Sequence, residues 1–198
     1  MKRLYLFTLS IIIVVIFAGC GKLPDAQLEQ ATAALQAAEA AGAPQYAPDA
    51  WSLAKQAADK MNAELDSQKK KLGLLRSSGK LRTLAEQAAR LAEQARTVAE
   101  AKKTQLRGEV TAMIAEINTS LEAARNQLAR LRRTKGLDVA SARSSLNAAG
   151  KQLEQARADL AAGALDRAMA SAAQAREGIT KVFKAIEKAT GVPASRKR

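Results

Sequence analysis

The sequence predicts an all-α protein, an elongated antiparallel helical bundle or coiled coil with one long central helix, following a cleaved leader. Three observations carry that expectation. Hydrophobic residues make up 47% of the chain and charged ones 26%, while only 11 glycines and 4 prolines occur in 198 residues, a balance that favours long helices. Apolar residues recur at alternating three- and four-residue spacings from Trp51 onward, the period that keeps one helical face apolar. After residue 20 no β-branched run alternates with polar residues as a half-buried strand would.

The leader comes first. Lys2 and Arg3 precede a nearly unbroken apolar run from Leu4 to Phe17, about 15 residues and short of the roughly 20 that a membrane span needs. Small residues Ala18 and Gly19 then lead into Cys20, the only cysteine. Charge, apolar run and small residues stand in the order of a secretory signal. With cysteine just after the cleavage point, Phe17-Ala18-Gly19-Cys20 reads as a lipobox, so residues 1–19 are expected to be removed and Cys20 lipidated. The alternative is an uncleaved anchor with a chance cysteine. Three acyl chains exceed the two hydrophobic signals that stable anchoring takes. In Gram-negative sorting an Asp directly after the lipidated cysteine favours inner-membrane retention. Gly21 stands there, so the expected location is the outer membrane, facing the periplasm.

The first helix is expected over Leu23 to Gly42, with Pro24 in its opening turn and a stripe of Leu28, Ala31, Leu35 and Ala38. Gly42 serves as its C-terminal cap and Pro44 blocks continuation. Pro48 restarts a helix at its first position, with Asp49 favourably placed at the positive helix end. Its stripe runs Trp51, Ala54, Ala58, Met61, Leu65, Gln68, Leu72 and Leu75 to about Arg76, and Arg76 to Gly79 forms the turn. A third segment begins near Lys80 with Leu81, Leu84, Ala88, Leu91, Ala95 and Val98 in register. Lys102 and Leu106 follow at consecutive fours, a stutter that locally unwinds a supercoil without ending it. Val110, Met113, Ile117, Leu121, Ala124, Leu128 and Leu131 then resume the alternation. One helix of about 54 residues, roughly 80 Å long, is the preferred reading. Two helices breaking near Lys103–Gly108 is the alternative. After a turn at Thr134-Lys135-Gly136, Val139 to Leu160 and Leu165 to Ala189 carry two more stripes, separated by Ala162-Gly163 and closed by Gly191 and Pro193.

Two halves emerge: a first three-helix unit over 20–107 and a second over 108–191, with a basic tail at 192–198. Short turns imply antiparallel neighbours. Alternating Leu and Ala at the seams lets helix axes approach closely but buries less area per residue, at roughly 25 cal/mol per Å². Gly79-Lys80-Leu81 and Gly163-Ala164-Leu165 each open an Ala-rich helix, which hints at a degenerate duplication. The 34-residue tetratricopeptide pattern is not met.

The stretch Ala37 to Ala58, with Ala-Ala-Gly-Ala followed by Tyr46-Ala47-Pro48 and an Ala/Lys-rich helix, resembles a known module. It is similar to the Ala-rich helical domain of unknown function, numbered four-three-nine-eight, found in proteobacterial envelope lipoproteins that also begin with a lipobox. The resemblance covers about residues 20–100 and implies a helical fold and an envelope location. It supplies no catalytic residues to carry over.

The residue inventory narrows the chemistry. The chain has no histidine, so with Cys20 lipidated, His/Cys metal sites and Cys–His or Ser–His catalysis are excluded. No disulfide can form within the chain, and no Gly-rich phosphate loop is present. No cofactor, metal or catalytic residue is expected. Glu86, Glu93 and Glu100 recur every seven residues, as a solvated or ion-pairing face does.

The chain carries a net charge of +13, and removal of Lys2 and Arg3 leaves 30 basic against 19 acidic residues. Basic residues gather as Lys69, Lys70, Lys71, Lys80 and Arg82, and as Arg130, Arg132, Arg133 and Lys135. Cations suit helix C-termini and solvated faces. The same residues are candidates for binding anions: peptidoglycan carboxylates, acidic headgroups or an acidic partner. Tyr46 and Trp51 either plug the turn end of the first hairpin or contact a partner. The expected function is that of a lipid-anchored, non-catalytic structural or adaptor protein of the cell envelope. Its partners would be the membrane through Cys20, and peptidoglycan or an envelope protein, with no nucleic acid. The alternatives are an electrostatic binder of peptidoglycan or anionic lipid and, third, an accessory subunit of an envelope hydrolase.

Overall fold

The computed structural model describes residues 23–72, 77–131 and 136–191, and among these every regular element is an α-helix. In order they are α1 (Asp25–Ala40), α2 (Ala43–Tyr46), α3 (Pro48–Lys70), α4 (Ser78–Arg130), α5 (Val139–Ala161) and α6 (Leu165–Thr190). The lipobox residues Phe17, Ala18, Gly19 and Cys20 lie outside the described residues, as do Arg132, Arg133 and Lys135. The all-α class and the long central helix are as expected. The segment from 78 to 130 is one helix of 53 residues, not two. The chain divides into two compact units at Lys102/Lys103, and α4 contributes its first half to one and its second half to the other.

In the first unit, α1, α3 and the first half of α4 pack around a core made almost entirely of alanine. Ala31, Ala38, Ala54, Ala88, Ala92 and Ala95 are fully buried, and among the described residues Met61 and Leu81 are the only large apolar side chains buried with them. Leu28, Leu35, Leu65, Leu84 and Leu91 sit at the flanks, half-buried against that core. Methyl-sized side chains at the centre of a seam let the backbones approach, and longer ones cover the edges. This arrangement corrects the expected stripe on α4. Ala85, Ala92 and Ala99 join Leu81, Ala88 and Ala95 in the interior, while Val98 is 43% exposed. Packing against two neighbours, α1 and α3, broadens the buried arc of α4 beyond a two-position seam.

Two further corrections concern helix ends. The segment between α1 and α3 holds a four-residue helix, α2, with Pro44 in its first turn. α3 ends at Lys70, six residues before the expected Arg76, and Lys71 turns extended at φ −84°, ψ 148°. Leu72 therefore leaves the stripe and is 77% exposed. The physical reason is Gln68. Its buried side chain accepts a hydrogen bond from the backbone N–H of Ser77 at 3.0 Å and so ties the returning chain to α3. Gly79, expected in the turn, lies in the first turn of α4 without a left-handed backbone. It is thus unlike Gly163, which weakens the reading of these two sites as copies of one motif.

In the second unit, the second half of α4 packs with α5 and α6 around larger aliphatics. Val110, Ile117, Leu121, Leu146, Leu153, Ile179, Val182 and Ile186 form one buried cluster with the intervening alanines. On α6 the expected stripe from Leu165 to Ile186 is buried throughout. Between Ala99 and Val110 no α4 residue is buried, which is where the spacing stutters. Asp138 caps α5 by accepting from the Ser141 N–H at 3.0 Å, the usual N-cap bond.

Gly163 ends α5 with a Schellman turn: its N–H donates to Leu160 and that of Ala164 to Asp159 at 2.8 Å. This requires φ +75° at Gly163, and a Cβ there would meet nothing within 4 Å. Gly42 ends α1 at φ +81°, but a Cβ there would lie 3.0 Å from the Tyr46 ring. Gly163→Ala is therefore expected to cost about 1 kcal/mol from backbone strain alone. Gly42→Ala should cost more, because Tyr46 must also move. Thermal unfolding of the two variants by circular dichroism tests the ranking, and equal losses would contradict it.

Candidate functional site

Five of the nine sequence-predicted basic residues come together at one end of the first unit. Lys69 and Lys70 close α3, Lys71 follows them, and Lys80 and Arg82 open α4. All five are exposed. Cations at the end of α3 also meet the partial negative charge of its terminal carbonyls. From Ser67 to Ala85 the sequence contains no acidic residue at all. Arg130 stands exposed as the last residue of α4 in the second unit.

The two helices are locked at this end by a polar relay that sequence reasoning missed. The Nζ of Lys80 lies 2.6 Å from the Oε2 of Glu64, whose side chain is only 11% exposed. The Nε2 of Gln68 donates to the Oε1 of Glu64 at 2.7 Å, while its Oε1 holds Ser77. The sign of it in the sequence is an amide at a seam position of a heptad, where a polar residue is retained for a bond. The Lys80 hydrogen bond first, and that of Gln68 second, hold the Glu64 carboxyl below the ordinary carboxylate range, against the opposing effect of burial.

Because the folded value lies below the unfolded one, the stability this carboxylate contributes is present above the ordinary carboxylate pKa. It is lost as pH falls through the depressed value. In Lys80→Met the Glu64 carboxyl is expected to titrate at higher pH, nearer the ordinary value, as followed by side-chain carbon NMR. An unchanged titration would show that Lys80 does not hold it.

No Lys or Arg occurs between Lys22 and Lys55; Asp25 and Glu29 open α1 at the basic end, and Glu39 and Asp49 stand toward the other, where Arg96 of α4 lies level with Glu39. Tyr46 and Trp51 lie at the α1–α3 turn, half-buried and packed against the alanine core. A shallow groove runs along α1 and α4, lined by Gln30, Ala33, Ala34 and Ala37 on one side and Glu86, Ala89, Arg90 and Glu93 on the other. The two turns in between make α1 and α4 parallel, so this groove also fixes their register. Continued back toward the chain start, the same offset puts Leu23 level with the first turn of α4. The heptad-spaced carboxylates pair along α4, with Glu86 on Arg82 and both Glu93 and Glu100 on Arg96. A second relay in the other unit sets the largely buried Asp159 between Gln155, 3.1 Å away, and Arg167 at 3.6 Å.

Among the described residues, no group of His, Cys, Asp and Glu is placed to hold a metal ion. Among them, too, no helix is long and apolar enough to cross a membrane. No curated protein and no solved structure matches the chain. Residues 110–198 lie beyond the one stretch that a family model covers. That stretch takes in α1 to α3 and the first part of α4, so the resemblance read from Ala37 to Ala58 holds: residues 26–109 match the family described as Domain of unknown function (DUF4398).

Proposed function

We propose that the protein is a lipid-anchored helical lipoprotein of the cell envelope, acting as a non-catalytic structural or adaptor protein on the periplasmic side of the outer membrane. The observation that carries this is the leader: Lys2-Arg3, an apolar run, then Phe17-Ala18-Gly19-Cys20. The alanine seams support the structural part. They stiffen long helices by close backbone approach and leave most side-chain chemistry on the solvent face. Fractionation of the envelope tests the location, with the protein expected among outer-membrane lipoproteins. Recovery in the soluble periplasm would overturn it.

A second reading is favoured by the gathering of Lys69, Lys70, Lys71, Lys80 and Arg82. On this reading the protein binds an anionic partner electrostatically, through peptidoglycan carboxylates or acidic headgroups. In-cell photo-cross-linking from Arg82 and Trp51 separates the two. Capture of one specific protein from Trp51 supports the adaptor. Salt-sensitive capture of glycan or lipid from Arg82 supports the electrostatic binder.

A further inference from the structure

One end of the first unit carries Lys69, Lys70, Lys71, Lys80 and Arg82, with Asp25 and Glu29 opening α1 at the same level. Directly after Lys71 stands Leu72. Among the described residues it is the most exposed large hydrophobic side chain, at 77%. A leucine next to lysines is poorly placed for water and well placed for an interface between headgroups and acyl chains.

The second observation is where the chain enters. Leu23 is half-buried against the alanine core, and the α1–α4 register sets it level with the first turn of α4. The links from Ser77 to Gln68 and from Lys80 to Glu64 bring the end of α3 to the same level. Cys20 precedes Leu23 by three residues in the sequence, so a chain held at Cys20 joins this unit at Leu23, on the end that carries the five cations. The other end lies the length of α1 away, about 24 Å for 16 residues.

We propose that the α3–α4 end of the first unit is a membrane-contact tip. Its lysines and Arg82 engage anionic phospholipid headgroups, and Leu72 settles into the interface. The occupant is a bilayer surface and not a glycan strand, because Leu72 and the point of chain entry both belong to this end. Peptidoglycan carboxylates would be served by the charges alone. The proposal adopts the anchoring of Cys20 as its starting point, and the tip also has a test of its own.

That test uses the full-length protein, purified from cells fed a labelled fatty acid and reconstituted into phosphatidylcholine vesicles with or without phosphatidylglycerol. Environment-sensitive fluorophores are attached through Ser77→Cys at the tip and Gln45→Cys at the far end. The expected result is a blue shift and quenching by lipid-borne quenchers from Ser77→Cys only, and only with phosphatidylglycerol present. Replacing Lys69, Lys70 and Lys71 by Gln should shift the tip's bound-to-free ratio about 100-fold toward free, from about fivefold per lysine beside an anionic leaflet. Leu72→Ser should weaken the quenching while leaving the salt dependence in place. A Ser77→Cys label that stays aqueous on protein carrying the fatty acid overturns the tip and leaves the anchor standing. A buried label on protein without fatty acid at Cys20 supports the tip and overturns the anchor. Lysine-dependent pelleting with peptidoglycan while the label stays aqueous overturns the tip in favour of a glycan site.

Discussion

Cys20→Ala is expected to abolish fatty-acid incorporation and to release the protein from the outer-membrane fraction, with the helix content of the rest unchanged. The argument is one of chemistry and position. Cys20 carries the only thiol in the chain, so no other residue can accept a diacylglycerol through a thioether. It stands directly after Ala18 and Gly19, whose small side chains leave the backbone open to a peptidase. The expected effect is all-or-none for labelling, because nothing else in the sequence can substitute. It is small for folding, because the described helices start at Asp25 and the first core residue, Ala31, comes later still. Labelling with tritiated palmitate, followed by fractionation and circular dichroism, checks all three parts. Labelling that survives the substitution would overturn the lipobox reading at its root.

The fold was legible wherever burial follows periodicity. On α6 every residue of the expected stripe from Leu165 to Ile186 is buried, because that helix meets its neighbours along a single face with large and small residues in turn. The pattern misled where periodicity outlasts the helix. Leu72 continues the three–four spacing of α3, yet the chain has left the helix at Lys71; Leu75 lies outside the described residues. Spacing cannot register that a glutamine about two turns after Met61 has taken hold of the Ser77 backbone. Val98 misled for another reason. A heptad stripe presumes one partner, and α4 has two in the first unit, so the buried arc shifts onto Ala85, Ala92 and Ala99.

The candidate site was legible as a cluster of charges about one turn, without the bonds that lock it. Runs such as Lys69-Lys70-Lys71 are visible in any reading of the chain. That Lys80 stands near them followed from the short turn at Arg76 to Gly79; that Glu64 and Gln68 lock this end did not. That the same end receives the chain at Leu23 follows from the register of α1 on α4. The lock and the register depend on side-chain packing between helices, which period and charge do not encode. Gln68 offered the one local clue, a polar residue among apolar seam positions, and its meaning came only with its partners.

Leu146→Ala is expected to destabilise the protein by about 2–5 kcal/mol, the largest loss among single core changes considered for these units. The reason is the difference between the two cores. Ile117, Leu146, Leu153, Ile179 and Val110 are among the largest side chains that are fully buried, and all five lie in the second unit. Each removes apolar area from water that no neighbouring alanine can replace, and truncation leaves a cavity between rigid helices that collapses only in part. In the first unit, apart from Met61 and Leu81, the interior positions are already alanine, so there is little to truncate. There the damaging change is enlargement: Ala92→Leu would force the α1, α3 and α4 backbones apart, at a cost of about 1–3 kcal/mol. Urea unfolding followed by helical circular dichroism measures both, and amide hydrogen exchange assigns each loss to its unit. Leu146→Ala should raise exchange along α5 and α6, and Ala92→Leu along α1 and α3. If Leu146→Ala cost less than 1 kcal/mol, its 1% exposure would not reflect a packed position, and the second unit would not be the better-filled of the two.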